Sequence, residues 1–465
     1  MGKDFSQFFQ KIFIFSAKLL VLVKIIIKFA GRCLTFKRFT IMSKINPLFG
    51  KERGKYGGSV YYVLKGEQIK REYNPSPSNP RSYAQQAQRA LLANMTKFYR
   101  RGQSNFFKFA FEDKTKKESD YNAFARNNMQ KGCYLTKDLY DNYVCPALGE
   151  FQLTKGSIDM SLGLVIAGDY AFFNKRFSTL LSTIGDLSTW LLANEPTLMP
   201  GDIFTIVIAE ADFIPGNYAM GDTPPTWKTI QFKIDTADLT LLTSLGIEMA
   251  DDGAGAGFYY MYVELNAIDR ASFAALIVSR NTDSGLKVTD SAIVPGPAAA
   301  VIIDWNRGEY AKRQTAISWG GNPEAFLQGG NLAVLPNVST VKLDTLTSNA
   351  YAYGLGALKL SAGDLELRAA VVTGQNLRTT AQGGKWEMTF YDAQAFDGEG
   401  MEFDPWKLPT RFTIELTATG TSTSISLAGR FDFNGIYMTN SETQGYGLIK
   451  YDGIPIWWGA ITCVE

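Results

Sequence analysis

Six cationic side chains, Arg71, Arg81, Arg89, Lys97, Arg100 and Arg101, are the residues whose type and spacing point to a chemistry. That chemistry is the pairing of positive charge with nucleic-acid phosphates or with the carboxylates of an acidic neighbour. Bond-making chemistry finds less support. Histidine is absent from all 465 residues, which removes Ser-His-Asp and Cys-His nucleophile activation, imidazole acid–base work and His-ligated metal sites. The cysteines, Cys33, Cys133, Cys145 and Cys463, lie far apart or at spacings no zinc motif uses. Cys133 and Cys145 are close enough in sequence to bridge, with a reduced pair the favoured state. No G-x-x-x-x-G-K-[ST] or G-x-S-x-G occurs. Aspartate and glutamate are too dispersed to nominate a glycosidase pair. The reading is a non-enzymatic protein with no cofactor.

A weak candidate for calcium lies around the DGEG turn, where Asp397, Glu399, Glu402 and Asp404, with Asp392 nearby, offer oxygen ligands. Their spacing departs from an EF-hand loop, and an acidic turn is the simpler reading. DDGAGAG at 251–257 does not lead a strand into a helix, so it reads as a loop and not as a nucleotide cradle.

Charge is distributed unevenly. Residues 1–150 hold 27 Lys+Arg against 11 Asp+Glu, while the remainder hold 20 against 34. A basic end would face an anionic partner, or the acidic body of a neighbouring subunit.

The elements that must position the cations begin after an unusual first 41 residues. That stretch is apolar but interrupted by Lys11, Lys18, Lys24 and Lys28; its longest uncharged run, residues 12–17, falls short of the roughly 20 that span a bilayer. The lysines share one side of a helical wheel, so a surface-lying amphipathic helix is one reading. Arg32 before Cys33 argues against a lipoprotein signal, and no small-x-small cleavage site follows. The favoured reading is upstream sequence with Met42 as the natural start, and no integral membrane span.

From there SVYYVL at 59–64, the turn Lys65-Gly66 and residues 67–73 read as a hairpin. NPSPSNP then leads into a helix, with Asn79 as N-cap and Pro80 at its first position. Tyr83, Ala87, Ala90, Leu91, Asn94, Met95 and Phe98 form its apolar stripe, and Gly102 is expected to end it. A second helix is expected over 119–131, with Tyr121, Phe124, Ala125 and Met129 inward. Phe107, Phe109 and Phe111 between the helices alternate as a strand face; base stacking beside lysines competes with a buried edge strand, which is favoured.

These motifs carry a resemblance. Gly57, Val60, Lys65-Gly66, Asn79-Pro80-Arg81-Ser82, Gln85, Gln88-Arg89 and Ser119-Asp120-Tyr121-Asn122-Ala123-Phe124 resemble an uncharacterised family of Bacteroides-type bacteria and their phages. TIGDLSTWLLANEPTLMPGDIFTIVIAE and FAALIVSRNTDSGLKVTDSAIV continue it, so that it covers roughly residues 50–295. The family has no established activity to transfer. Its phage association implies a virion component.

Beyond residue 150 the chain is β-rich. Strands are expected at 203–209, 229–234, 258–265, 273–278 and 286–289, with a helix over 179–194 that turns Leu180, Ile184, Leu187, Leu191 and Trp190 inward. VPGPAAA at 294–300 reads as a linker or domain edge, and the rest as almost pure strand and turn. Phe412, Ile414, Leu416 and Ala418 alternate into a hairpin with Ile425 and Leu427. The terminal GIPIWWGAITCVE is expected to dock in a sheet or on a neighbour.

The predicted fold is therefore mainly β, with a small α+β N-terminal module and two antiparallel β-sandwich or jelly-roll-like domains. Its segments are 1–41, 42–149 (basic hairpin-helix module), 150–297 and 298–465. The functional expectation is a self-assembling structural protein of a phage particle, located in the virion and in the host cytoplasm during assembly. Its partners would be further copies, other virion proteins, and nucleic acid reached through the basic residues. Two alternatives stand beside it. One is an adhesin-like or carbohydrate-binding β-sandwich protein using Trp386, Trp406, Trp457 and Trp458; the other is a nucleic-acid-binding protein outside any particle. A glycoside hydrolase or protease is more remote. The start-site reading has its own check: mass measurement of the natural product should find a chain beginning near Met42, and one beginning near Met1 would refute it.

Overall fold

The structure is a computed structural model that describes residues 42–45, 53–64, 66–74, 81–105, 110–115, 117–142, 149–167, 169–212, 226–251, 257–265, 270–321, 335–361, 364–392, 411–432 and 443–464. At 48% strand against 23% helix it is mainly β, as predicted. Two compact units meet between Asn79 and Pro80. This point lies inside the span 42–149, so the hairpin belongs to the first unit and the long helix to the second.

The first unit is a four-stranded antiparallel sheet of β1 (Met42–Ile45), β2 (Gly54–Tyr56), β3 (Ser59–Leu64) and β4 (Glu67–Glu72), ordered β1-β4-β3-β2. The expected hairpin is its centre, with Val60 opposite Arg71. Gly57 and Gly66 take φ of 57° and 82°, left-handed values that a Cβ disfavours, which explains glycine at both turns.

The second unit begins with α1 (Tyr83–Asn105), β5 (Ala110–Phe111), α2 (Asp120–Asn128), α3 (Lys137–Asn142) and β6 (Gln152–Lys155). The predicted stripe of α1 is buried from Tyr83 to Phe98. Its start differs from expectation. Arg81 has φ of 49°, so helical backbone does not run back to Pro80; Ser82 caps instead, its Oγ accepting from Gln85 N at 3.4 Å. Gly102 is buried and stays helical, and α1 runs on to Asn105. Ser119 caps α2 by accepting from Asn122 N. That helix ends at Asn128, earlier than expected, where the buried Asn128 side chain bonds Gln152 N and O at 2.7 and 2.9 Å. Phe111 is core rather than a stacking surface; Phe107 and Phe109 lie outside the described residues.

A first β-sandwich follows, built from β7 (Leu164–Ala167), β8 (Tyr170–Phe177), α4 (Ile184–Asn194), β9 (Ile203–Asp212), β10 (Thr226–Lys233), β11 (Ile247–Asp251), β12 (Tyr259–Glu264), β13 (Arg270–Thr282) and β14 (Gly285–Val288), with short β15 (Ser291–Ala292) and β16 (Val294–Pro295). One sheet is ordered β10-β9-β13-β14 and the other β11-β12-β8-β7. All five strands expected from sequence are present. Helix α4 starts at Ile184, because Thr183 and Asp186 form a reciprocal cap there. Leu180 is therefore outside it and 56% exposed, contrary to expectation.

The central sheet is covered on both sides. Phe204, Ile206, Ile208, Ala274, Leu276 and Val278 face the sandwich core. The alternate residues Val207, Ala209, Phe273, Ala275 and Ile277 face a second core with Phe98, Phe124 and Phe151. Such strands read as unbroken apolar runs because neither face meets water.

VPGPAAA proves not to be a linker. Gly296 caps and Pro297 opens helix α5 (Pro297–Trp305), every residue of which is buried, and α6 (Glu309–Ser318) follows it. A segment apolar on all sides carries no 3.6-residue periodicity to announce a helix.

The C-terminal sandwich contains β17 (Val338–Leu343), β18 (Leu346–Asn349), β19 (Tyr353–Ser361), β20 (Asp364–Leu367), β21 (Ala370–Gly374), β22 (Trp386–Asp392), β23 (Arg411–Glu415), β24 (Thr417–Gly420), β25 (Ser424–Ala428), β26 (Arg430–Asp432), β27 (Thr443–Tyr451) and β28 (Ile454–Val464). Its sheets are ordered β18-β17-β21-β25-β24 and β23-β22-β27-β28-β19-β20-β26. The run from Phe412 to Ala418 is split between them: β23 joins the larger sheet, and β24 and β25 form the expected hairpin in the smaller. The terminal strand β28 is internal to the larger sheet, antiparallel to β27 and parallel to β19. Gly459 faces Gly354 so closely that a Cβ would lie 1.7 Å from the Gly354 carbonyl oxygen.

This larger sheet is also two-faced. Met388, Phe390, Ile449, Trp457 and Ile461 fill the sandwich, whereas Tyr391, Tyr446, Leu448, Trp458 and Ala460 share the core that contains α5. Its carboxyl end is held by charge: Asp304 accepts from the Tyr391 hydroxyl and pairs with Arg411 at 2.6 Å and Arg307 at 3.7 Å. Burial, and then Asp304, push the Tyr391 hydroxyl well above the ordinary tyrosine range. Asp304→Ala should cost roughly 2–3 kcal/mol, below the loss for a fully buried pair because both arginines keep some water contact. Urea unfolding of the full chain measures it.

Candidate anion-binding groove

The outward side of α1 follows from its inward side. With Ala87, Leu91, Met95 and Phe98 committed to the core, Arg89, Ala93, Thr96 and Arg100 stand opposite at i, i+4, i+7 and i+11. The small residues form the floor of a groove and the arginines its two ends. Lys97, Arg101 and Leu92 flank it, and Tyr140 of α3 closes one side, enclosing about 730 Å³. Among the described residues, the lining has no acidic side chain.

Side-chain contacts hold the wall in place. Tyr140 packs edge-on against Trp319 with ring centroids 5.2 Å apart, and the Trp319 indole N–H donates to Leu135 O at 3.0 Å. The backbone of Lys137 donates to Ser318 Oγ at 3.0 Å, fastening α3 to the end of α6. On α1 itself, buried Asn94 donates to Cys133 O at 2.8 Å, and the Thr96 hydroxyl bonds Leu92 O at 2.7 Å and the Tyr121 hydroxyl at 2.8 Å.

Lys97 and Arg101 are half-buried, while Arg89 and Arg100 are exposed; Lys97 is the one whose basicity the fold lowers most clearly. Its ammonium lies over the Tyr140 ring, 4.1 Å from the centroid, and donates to the Tyr140 carbonyl. Burial pushes its pKa down to about 8; Arg101 and Lys137 press in the same direction while Asp141 opposes them. Asp141 is itself engaged by Lys137 at 2.7 Å. An anion entering the groove would add negative charge beside Lys97 and favour its protonated form.

Of the six cations read from sequence, the fold gathers Arg89, Lys97, Arg100 and Arg101. Arg81 sits apart, with its guanidinium close to Gly320 just beyond α6. Arg71 is exposed on β4 of the first unit. Sequence reasoning missed Tyr140, because KDLYDN carries no signal that it returns to α1.

The other candidates fare differently. Asp397, Glu399, Glu402 and Asp404 lie outside the described residues, and among the described residues no acidic or thiol cluster suited to a metal occurs. Cys133 is a buried free thiol whose Sγ donates to Ile303 O at 3.4 Å; Cys145 is not among the described residues. Trp386, Trp457 and Trp458 are 1%, 0% and 3% exposed, so they offer no stacking face to a sugar; Trp406 lies outside the described residues. No helix among the described residues is long and apolar enough to cross a membrane.

Several residues that carried the family resemblance have structural work. Asp202 of the GD turn takes both Nε and Nη2 of Arg280 at 2.7 Å, and Lys287 pairs with Glu112 at 3.1 Å.

A selective 15N or 13C lysine titration should place Lys97 near pH 8, well below exposed lysines. Arg101→Gln should move it upward; a Lys97 titration at the ordinary lysine value would contradict the groove's electrostatics. No protein-family model matches the chain, and no curated protein does.

Proposed function

We infer that this chain is a non-enzymatic structural subunit of a phage particle, capsid or capsid-associated, that works by self-assembly and contacts nucleic acid or an acidic neighbour through the groove on α1. The observation that carries the contact is the groove lining: four cations and, among the described residues, no carboxylate around one trough. Like charges brought together at a cost in mutual repulsion are favourable once an anion lies between them. The particle assignment draws on the motif resemblance and on the architecture. Two sandwiches pack on one buried helix and leave strand edges at β10, β11, β23 and β24. Lys228 and Lys233 on edge strand β10 discourage random pairing, leaving association to specific contacts.

A nucleic-acid-binding protein acting outside a particle is the second reading, favoured by the same groove. Assembly separates the two. Electron microscopy and light scattering of purified chain at rising concentration should show regular particles or rings. A clean monomer at high concentration would overturn the structural role.

A further inference from the structure

We propose that the groove on α1 holds the sugar-phosphate backbone of a single nucleic-acid strand, without base readout, and that Lys97 sets its grip. This deepens the preceding reading by naming one of its two possible partners. The geometry favours a linear polyanion. Arg89 and Arg100 are eleven residues apart on one helix face, about 16 Å along the axis, with Ala93 and Thr96 between them. At ~3.4 Å rise per nucleotide that span takes roughly five phosphates of a stacked strand, within the usual reach of single-strand sites. A carboxylate-bearing loop would need its acidic groups spread over the same length.

The lining also argues against base recognition. Among the described residues its aromatic ring is Tyr140, which has the Lys97 ammonium 4.1 Å and the Lys137 ammonium 5.3 Å from its centroid and packs with Trp319 in a T-shaped pair. A base cannot stack on a face that ammonium groups occupy. What the groove offers is positive charge and small side chains, which suit any sequence equally.

Lys97 gives the site a pH signature. Among the described residues, the charged and titratable groups around it include Arg89, Arg100 and Arg101 on α1 and Lys137, Tyr140 and Asp141 on α3. With an amine pKa near 8, Lys97 is charged below that value and neutral above it. Phosphate raises the pKa, so binding takes up a proton and affinity falls as pH rises from 7 to 9.

The test is fluorescence anisotropy of a labelled oligothymidylate with dispersed full-length chain, over a series of salt concentrations. Loss of binding then speaks against the groove, and loss of particles against the structural role. Engagement of three or four phosphates predicts a log–log salt slope of about −2 to −3. Arg100→Glu, an exposed site whose change leaves the fold intact, should weaken binding at least tenfold and flatten the slope. Lys97→Arg should keep tight binding and lose the fall between pH 7 and 9, whereas Lys97→Met should weaken it at pH 7. Three outcomes would overturn the proposal: a slope unchanged in Arg100→Glu, duplex DNA bound as tightly as the single strand, or competition by polyglutamate equal to that by oligothymidylate. The last would assign the groove to an acidic protein.

Discussion

Burial of helix α5 between two sheets is the interaction on which the second unit depends. Nine consecutive residues, Pro297–Trp305, are removed from water, and the faces that cover them are the outer sides of two sandwiches whose inner sides are already filled. Each central sheet therefore has no solvent face to spare. Separating α5 from either sandwich would expose Phe273 and Ala275 on one side, or Leu448 and Trp458 on the other, at roughly 1.5–3 kcal/mol for each large side chain. Asp304 adds direction to this non-directional grip. Paired with Arg411 and bonded by Tyr391, it fixes the end of the helix against the larger C-terminal sheet.

The groove is a consequence of that packing. Helix α1 lies on the same two-faced sheet as α5, through Met95 and Phe98, so its polar side has no choice of direction. Helix α6, immediately after α5, carries Ser318 and Trp319 to the place where they fasten α3, and α3 brings Tyr140 over Lys97. The chain of positioning thus runs from a fully buried helix, through a packed sheet, to a row of cations. The low basicity of Lys97 is the electrostatic trace of this arrangement: burial and like charge act together, and Asp141 opposes them.

Much of this was readable from sequence where one face is buried and the other wet. The stripe of α1, the hairpin at 59–72 and the β23–β25 alternation have a period that a single buried face imposes, while β9 and β13, covered on both faces, are legible from apolar runs bounded by turns. The failures have separate physical causes. Helix α5 is buried all round and shows no period, so its Pro-Gly-Pro entry looked like a boundary. The start of α1 was misplaced because Asn79-Pro80 has the form of a cap, while the left-handed backbone of Arg81 hands that task to Ser82. Trp386, Trp457 and Trp458, which looked available for ligand, lie in cores, since indole is large enough to fill either face of a two-faced sheet. The groove was half legible: its cations were apparent on the helix, but Tyr140 comes from a segment whose return depends on tertiary packing alone.

Native-state hydrogen exchange on the full chain tests the central claim most directly. If α5 ties the two sandwiches into one cooperative body, the amides of residues 300–305 should exchange only with global unfolding. The central strands β9, β13, β22 and β27 should share that same opening free energy. Exchange of α5 at a markedly lower free energy than either sandwich, or separate opening of the two sandwiches with α5 protected in only one, would contradict it.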